Sequence, residues 1–374
     1  MNKSIDPRKF RMPAEWEEQS GVWLQWPHED KSRGYQRKLE SIWLEITDTL
    51  KQHVTVDLCI QDERRREYIE RQLQFYGIGL DNIRFYIIPT NDIWIRDNGP
   101  TFVIGEKGEL AAVNWVFNGW GGRYPHSLDK QVPRQIAREL GIPLFPVNYV
   151  MEGGNIEVNG QGDLICARSA TLNDNRNPGV SQETIEEIFR TYLGAENIIW
   201  LPGMKTEDVE EAGWSDDTDT HIDTIVRFVN PDTIVYSWVD SPYDRTYPML
   251  KKNYEALKEV VLASGKRPNL VPLPIPEHGY YSTSRVGVGG GVMEFNHIRT
   301  DASYTNFLIS NGVVLVPTYG NVNDERAIKT LQEIFSDREV VGINCGAVAE
   351  NGGEIHCFSQ QMPYGKIKYL KKEG

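Results

Sequence analysis

The chain has 374 residues, with 40 Lys+Arg against 53 Asp+Glu and a formal net charge of −13 at pH 7. A quarter of the residues are charged and 40% are hydrophobic, which excludes a disordered tail or a fibre and leaves ample length for a core. The acidic balance argues against nucleic acid or an anionic membrane as a partner, since both need a basic face, but it favours small cations.

The opening segment, MNKSIDPRKFRMPAEWEEQSG, lacks the apolar h-region of a secretory signal. The longest apolar runs, such as VVLV at 313–316, fall far short of the roughly 18 residues that cross a membrane. Strand and helix patterns then alternate. VTVDLCI (54–60) is followed by a charged helix over 63–75 and by IRFYIIP (83–89). A helix over 181–193 precedes NIIWLP. TIVYSWV precedes a helix over 249–263, where Leu250, Tyr254, Leu257 and Val261 form one apolar stripe, and then comes NLVPLPIP. VVLVP (313–317) precedes a helix over 324–335 and EVVGINC. About five such units of roughly 70 residues fit the length. Pattern alone leaves a pseudo-symmetric array and a plain α/β sheet equally open. Cys59, Cys166, Cys345 and Cys357 are too few for a disulfide framework and form no C-x-x-C pair, so free thiols in a reducing cytoplasm are expected.

Four loops gather acids or a nucleophile, three of them beside Gly: WIRDNGP, MEGGN, THID and NGGEIHC. If HIDTIVRFV is extended, His221 and Asp223 share one strand face and Ile222 turns into the core; a solvated strand end is the plainer alternative. In an extended EIHCF, His356 faces away from Cys357, so a distant His, His221, must serve the thiol. A lone Cys is more often inert packing, but the Gly pair before this one permits close approach to a ligand. Asp97 caps a turn or, beside Trp94, meets a flat cation. In MEGGN the Gly153-Gly154 pair reads as a bulge and Glu152 as a surface acid, so this loop alone is a weak signal. EDVEE (207–211) reads as a solvated helix face. VGVGGGV (286–292) is not a P-loop, and no H-E-x-x-H or calcium loop occurs, so neither metal nor nucleotide is expected. A thiol, an imidazole and several carboxylates suit attack on a cationic, planar carbon such as that of a guanidinium group.

In these motifs the sequence resembles the agmatine deiminases among the guanidino-group-modifying enzymes. The resemblance runs through MPAEWEEQSGVWLQWPH, WIRDNGPTFV, FNGWGG, MEGGNIEVNGQGDL, TLNDNRNPGVSQETIEEI, HIDT and NGGEIHCFSQQMP. It implies a pentein fold, a five-bladed α/β propeller, as a single domain over 1–374. It implies hydrolysis of agmatine to N-carbamoylputrescine and ammonia without a cofactor, in putrescine metabolism, by a cytoplasmic homo-oligomer. Cys357 is then the nucleophile and His221 the general acid/base, while Asp97 and Asp223 hold the guanidinium. Trp94, Glu152 and Asn155 flank the substrate, and Asp217 stands in for the acid that meets the distal amine. The chain departs from the family's pattern at Thr220, where Gly is common, in the run from Ser215 to Asp219, and at Glu354, where Gly or Asn is common. These departures concern the pocket for the substrate's tail. The rival readings are a peptidyl-arginine deiminase, an amidinotransferase and a non-catalytic pentein binding protein.

Overall fold

The computed structural model describes residues 5–28, 35–211, 216–282, 285–288, 292–295 and 298–367. Strand Thr55–Ile60 shows how the alternation works. Val56, Leu58 and Ile60 pack into one core with Ile69 and Leu73 of helix Glu63–Phe75, while Cys59 joins the core on the opposite face. Asp62 starts that helix by accepting from the backbone N–H of Arg65 at 2.8 Å.

The same pattern recurs five times. An antiparallel pair is followed by a helix and a third strand parallel to the second. Thr101–Gly105 and Leu110–Val116 lead to Leu144–Val150, and Glu157–Val158 and Asp163–Ala167 lead to Asn197–Leu201. Val226–Asn230 and Thr233–Trp238 lead to Asn269–Pro274, and Leu308–Ser310 and Val313–Thr318 lead to Glu339–Asn344. In the remaining unit the last strand, Ser359–Pro363, pairs antiparallel with the first long strand, Gln19–Gln25. Gln19–Gln25 then runs parallel to Thr55–Ile60, and Thr55–Ile60 to Ile83–Ile87. The two ends of the chain therefore share a sheet. This is the pentein fold, and it resolves the ambiguity that periodicity left.

Two local expectations fail. The helix expected over 249–263 is Tyr247–Lys258, so the stripe ends at Leu257 and Val261 is 48% exposed. The HIDT segment is not extended. Ile222–Thr224 is a single 3₁₀ turn and the strand begins only at Val226, although Ile222 is fully buried as expected. The EDVEE acids do lie on an exposed helix face, around buried Val209. Residues 289–291 of the Gly-rich run, and Ser215, lie outside the described residues. Among the described residues no helix is long and apolar enough to cross a membrane.

Candidate active site

The fivefold repetition builds the site. Each unit's leading strand is preceded by a tight segment that brings a side chain or a backbone group to the site. Asp97 lies before Thr101–Gly105, and the Gly153–Asn155 turn before Glu157–Val158. The Ile222–Thr224 turn holds Asp223, Asn306 precedes Leu308–Ser310, and Cys357 precedes Ser359–Pro363. Residues far apart in sequence meet because each occupies the same place in its unit.

Gly154 marks the meeting point. A Cβ placed there would lie 2.6 Å from His221 Nδ1 and 3.0 Å from both Asp223 Oδ2 and Asp97 Oδ1. Its own N–H donates to Asp97 Oδ1 at 3.0 Å. The neighbouring Gly153 is pressed against the Arg96 carbonyl, where a Cβ would stand 2.1 Å away. Space therefore demands both glycines. Gly154→Ala is expected to displace His221 and lower kcat by about 10²-fold, with the fold retained by circular dichroism. Wild-type kcat in that variant would show that the trio does not crowd this backbone.

Asp97 accepts from Trp120 Nε1 at 3.0 Å as well as from Gly154. Trp120, of the FNGWGG loop, takes φ = 54°, inside a run where Gly119, Gly121 and Gly122 also have positive φ. A side chain is tolerated there because its indole is spent on Asp97. Burial pushes the Asp97 carboxyl above its ordinary value, against the pull of His221.

His221 is 1% exposed; its Nε2 lies 3.2 Å from Glu152 Oε2 and its Nδ1 3.6 Å from Asp97 Oδ1. Burial would lower its pKa, but Asp97, Glu152 and Asp223 outweigh burial and hold it up at about 9. Glu152 would itself be raised by burial; the Arg176 guanidinium, 2.9 Å from Oε1, and His221 hold it down instead. Arg176 also pairs with Asp219 at 2.5 Å. Asp219 and Thr220 take φ values of 61° and 65° just before His221. At the second of these, the family's Gly would be unstrained. Here Thr220 Oγ1 donates to Met204 O at 2.8 Å, and Asp219 accepts from Thr206 N at 2.9 Å, which anchors the strained pair.

Asp223 is fully buried, and its Oδ2 lies 2.7 Å from His356 Nδ1. His356 Nε2 in turn lies 2.9 Å from Glu15 Oε2 of the MPAEW segment, which also pairs with Arg227 at 2.9 Å. Burial would raise Asp223, but His356 and His221 keep its pKa low. Asp223 Oδ1 and His221 Nδ1 are buried without hydrogen-bond partners.

Cys357 sits in a turn, with Phe358 N donating to Glu354 O at 3.3 Å, rather than in the expected extended run. The opposite-face expectation for His356 goes with that strand: His356 Nδ1 and Cys357 Sγ lie 2.7 and 3.9 Å from the same Asp223 Oδ2. Cys357 Sγ accepts from Asn306 Nδ2 at 3.2 Å and lies 3.9 Å from Asp223 Oδ2. Burial pushes the thiol well above its ordinary value, and the charges of Asp223, Asp97 and Glu354 push it further. A Cβ on Gly353 would meet the Trp94 ring at 2.6 Å and Cys357 Cβ at 3.1 Å, so buried Trp94 walls the thiol side.

Asn155 faces elsewhere. Its amide bonds Ala167 N and O and Thr171 Oγ1, bracing the loop. Asp217 accepts from Tyr124 OH at 2.5 Å, and that ring packs against Trp120 with centroids 5.6 Å apart, which sets Asp217 beside the Asp97 wall. Sequence reasoning missed Asn306, Trp120, Arg176 and Glu15. Trp120 and Glu15 lie inside motifs already singled out. Asn306 was marked by its place just before a leading strand.

The profile of the Porphyromonas-type peptidyl-arginine deiminase family matches residues 11–363. An agmatine deiminase of Ectopseudomonas mendocina (strain ymp) is 34% identical over 368 residues, covering 95% of each chain. The solved agmatine deiminase of Enterococcus faecalis is 29% identical, with a TM-score of 0.86 over 97% of this chain and 99% of that one. C. jejuni agmatine deiminase with substrate bound is 28% identical, with a TM-score of 0.79 over 95% of this chain and 97% of that one. By the span of that profile and the identity of full-length relatives, the chain belongs to the Porphyromonas-type peptidyl-arginine deiminase family.

Proposed function

We propose that the protein is an agmatine deiminase, converting agmatine and water to N-carbamoylputrescine and ammonia. The observation that carries this reading is the convergence of Cys357, His221, Asp97 and Asp223 around Gly154. Relatives of full length named agmatine deiminase support the substrate. The guanidinium lies between the Asp97 and Asp223 carboxylates, its plane fixed by charge-assisted hydrogen bonds. Its positive charge offsets the carboxylates that hold the Cys357 proton, so the thiol releases its proton to solvent and the thiolate forms with substrate in place. Sγ attacks the central carbon. His221, protonated at neutral pH, gives its proton to the departing nitrogen, which leaves as ammonia. A covalent thiouronium remains. Neutral His221 then takes a proton from water as it attacks that carbon, and the C–S bond breaks to restore Cys357. Glu152, held by Arg176, fixes the His221 ring; Trp94 flanks the substrate, and Asp217 lies toward its tail. In this reading the whole chain is one pentein domain, with the site on the axis of its propeller. It works as a cytoplasmic homo-oligomer.

Two measurements test this. Ammonia release compared across agmatine, arginine and a blocked arginine peptide should favour agmatine; preference for the peptide would replace this reading with a peptidyl-arginine deiminase. The alkaline limb of kcat/KM should have its midpoint near 9, where His221 loses its proton. Glu152→Gln removes one of the charges that raise His221, so the midpoint should move to lower pH. An unmoved limb would show that His221 does not set it. The same group links to stability. Because its pKa is raised from 6.5, its contribution is full below that value and is lost as pH rises through about 9.

A further inference from the structure

One polar side chain against the thiol has no use in the chemistry above. Asn306 is fully buried, and its Nδ2 donates to Cys357 Sγ at 3.2 Å. The backbone decides which end of the amide faces the sulfur. Oδ1 accepts from the N–H groups of His356 at 3.0 Å and of Cys357 at 3.3 Å. A flipped amide would set its NH₂ group against those two donors, so Nδ2 is held on the sulfur side. The main chain of Asn306 is anchored as well: its carbonyl accepts from His356 N at 3.1 Å and its N–H donates to Ser303 O at 3.2 Å. The turn that carries the nucleophile therefore also fixes the donor. The sulfur's other polar contact is of the opposite kind. Asp223 Oδ2, 3.9 Å away, accepts from the thiol and disfavours a thiolate. Burial disfavours it too, and Asp97 and Glu354 add charge of the same sign. Among the described residues, Asn306 Nδ2 is the hydrogen-bond donor that reaches Sγ. Such a donor serves a thiolate better than a thiol, because a hydrogen bond to an ionised acceptor is about twice as strong as one to a neutral acceptor.

Resting on the deiminase reading, we propose that Asn306 is a catalytic residue whose side-chain N–H holds the Cys357 thiolate, both as it forms to attack and as it departs from the covalent intermediate. In the attack an electron pair of Sγ forms the C–S bond, and the departing nitrogen leaves as ammonia with the proton of His221. In the second half the oxygen of water bonds the carbon. Its first proton goes to His221 and its second to solvent as the C=O bond forms, and the C–S electron pair returns to Sγ. Negative charge thus rests on the sulfur at both ends of the covalent cycle, and the thiouronium sulfur between them is a weaker acceptor. Each transition state carries part of that charge, so each is stabilised by the same amide.

The test sets Asn306→Asp beside Asn306→Ala. The Asp keeps the side-chain shape and an acceptor for the two backbone N–H groups. Those donors favour its ionised form, which donates nothing to the sulfur. The Ala removes the donor without adding charge, and where it fails to fold the shape-conserving Asp is read alone. Each variant should lower kcat for agmatine by about tenfold or more, and slow iodoacetamide alkylation of the free enzyme at neutral pH by about threefold or more. The calorimetric Kd of agmatine should weaken by less than about threefold, because Asp97 and Asp223 are untouched. An amide that merely braced the turn would give a different result: its loss would loosen the turn, expose the sulfur and speed alkylation. Alkylation that is unchanged or faster, or a Kd that rises as far as kcat falls, overturns the proposal. If wild type turns over no agmatine, the deiminase reading itself fails, and the alkylation rates alone decide whether Asn306 serves the sulfur.

Discussion

Cys357→Ser should abolish agmatine turnover, by at least about four orders of magnitude, while agmatine still binds. Among the described residues Sγ is the cysteine sulfur at the meeting point; the remaining cysteines, Cys59, Cys166 and Cys345, are buried elsewhere in the core. A serine hydroxyl is a far weaker nucleophile at the pH where His221 is charged, and no neutral base stands ready to activate it. Binding should survive because, in the proposed mechanism, the guanidinium is held by the carboxylates of Asp97 and Asp223. Single-turnover ammonia release and calorimetric agmatine titration on one preparation separate the two properties. Residual turnover within tenfold of wild type would remove Cys357 from the chemistry. Trapping should agree: wild type mixed with agmatine and acid-quenched should gain the mass of a thiouronium on the Cys357 peptide, and the variant should not.

Much of this was legible in the sequence because the repeat is simple. Runs such as TVDLCI and VVLVP are strands on apolar content alone, and Asp62 and Ser181 announce their helices by capping chemistry. The boundaries that failed did so for local reasons. His221 and Asp223 were given a common face by the two-residue period of a strand, yet they converge through a 3₁₀ turn entered by two left-handed residues. The residue pair was right and its geometry wrong, because a turn and a strand end share the same composition. The supporting groups were harder. Arg176 and Glu15 make sense only once the units are assembled, since each pairs with acids or a histidine many residues away. Gly154 reads as a possible bulge in sequence; its real constraint is the crowding of three side chains from other units. Glu354 was visible as a departure from the family pattern, but its complete burial was not.

Asp223→Asn should lower kcat/KM for agmatine by about two to four orders of magnitude, and it should do so while making the thiol more reactive. The substitution removes one of the two charges proposed to clamp the guanidinium. The amide cannot restore the arrangement. If its oxygen keeps the contact with His356 Nδ1, now 2.7 Å from Oδ2, its NH₂ group faces the substrate's N–H groups, donor against donor. If it turns over, the donor faces His356 instead. Asp97→Asn fails for a related reason, since both Asp97 oxygens already accept, from Gly154 N and Trp120 Nε1. The resting thiol responds in the opposite sense. Asp223 heads the charges that add to burial in raising Cys357, so its removal brings the thiol's pKa down and increases the thiolate fraction at neutral pH. Alkylation of Cys357 by iodoacetamide in the absence of substrate should therefore be faster in Asp223→Asn than in wild type, while agmatine turnover collapses. A collapsed site would lose turnover without this gain, and an Asp223 remote from the sulfur would change neither rate. If alkylation slows along with turnover, the carboxylate does not hold the proton on Cys357, and ionisation of the thiol by the bound guanidinium would lose its physical basis.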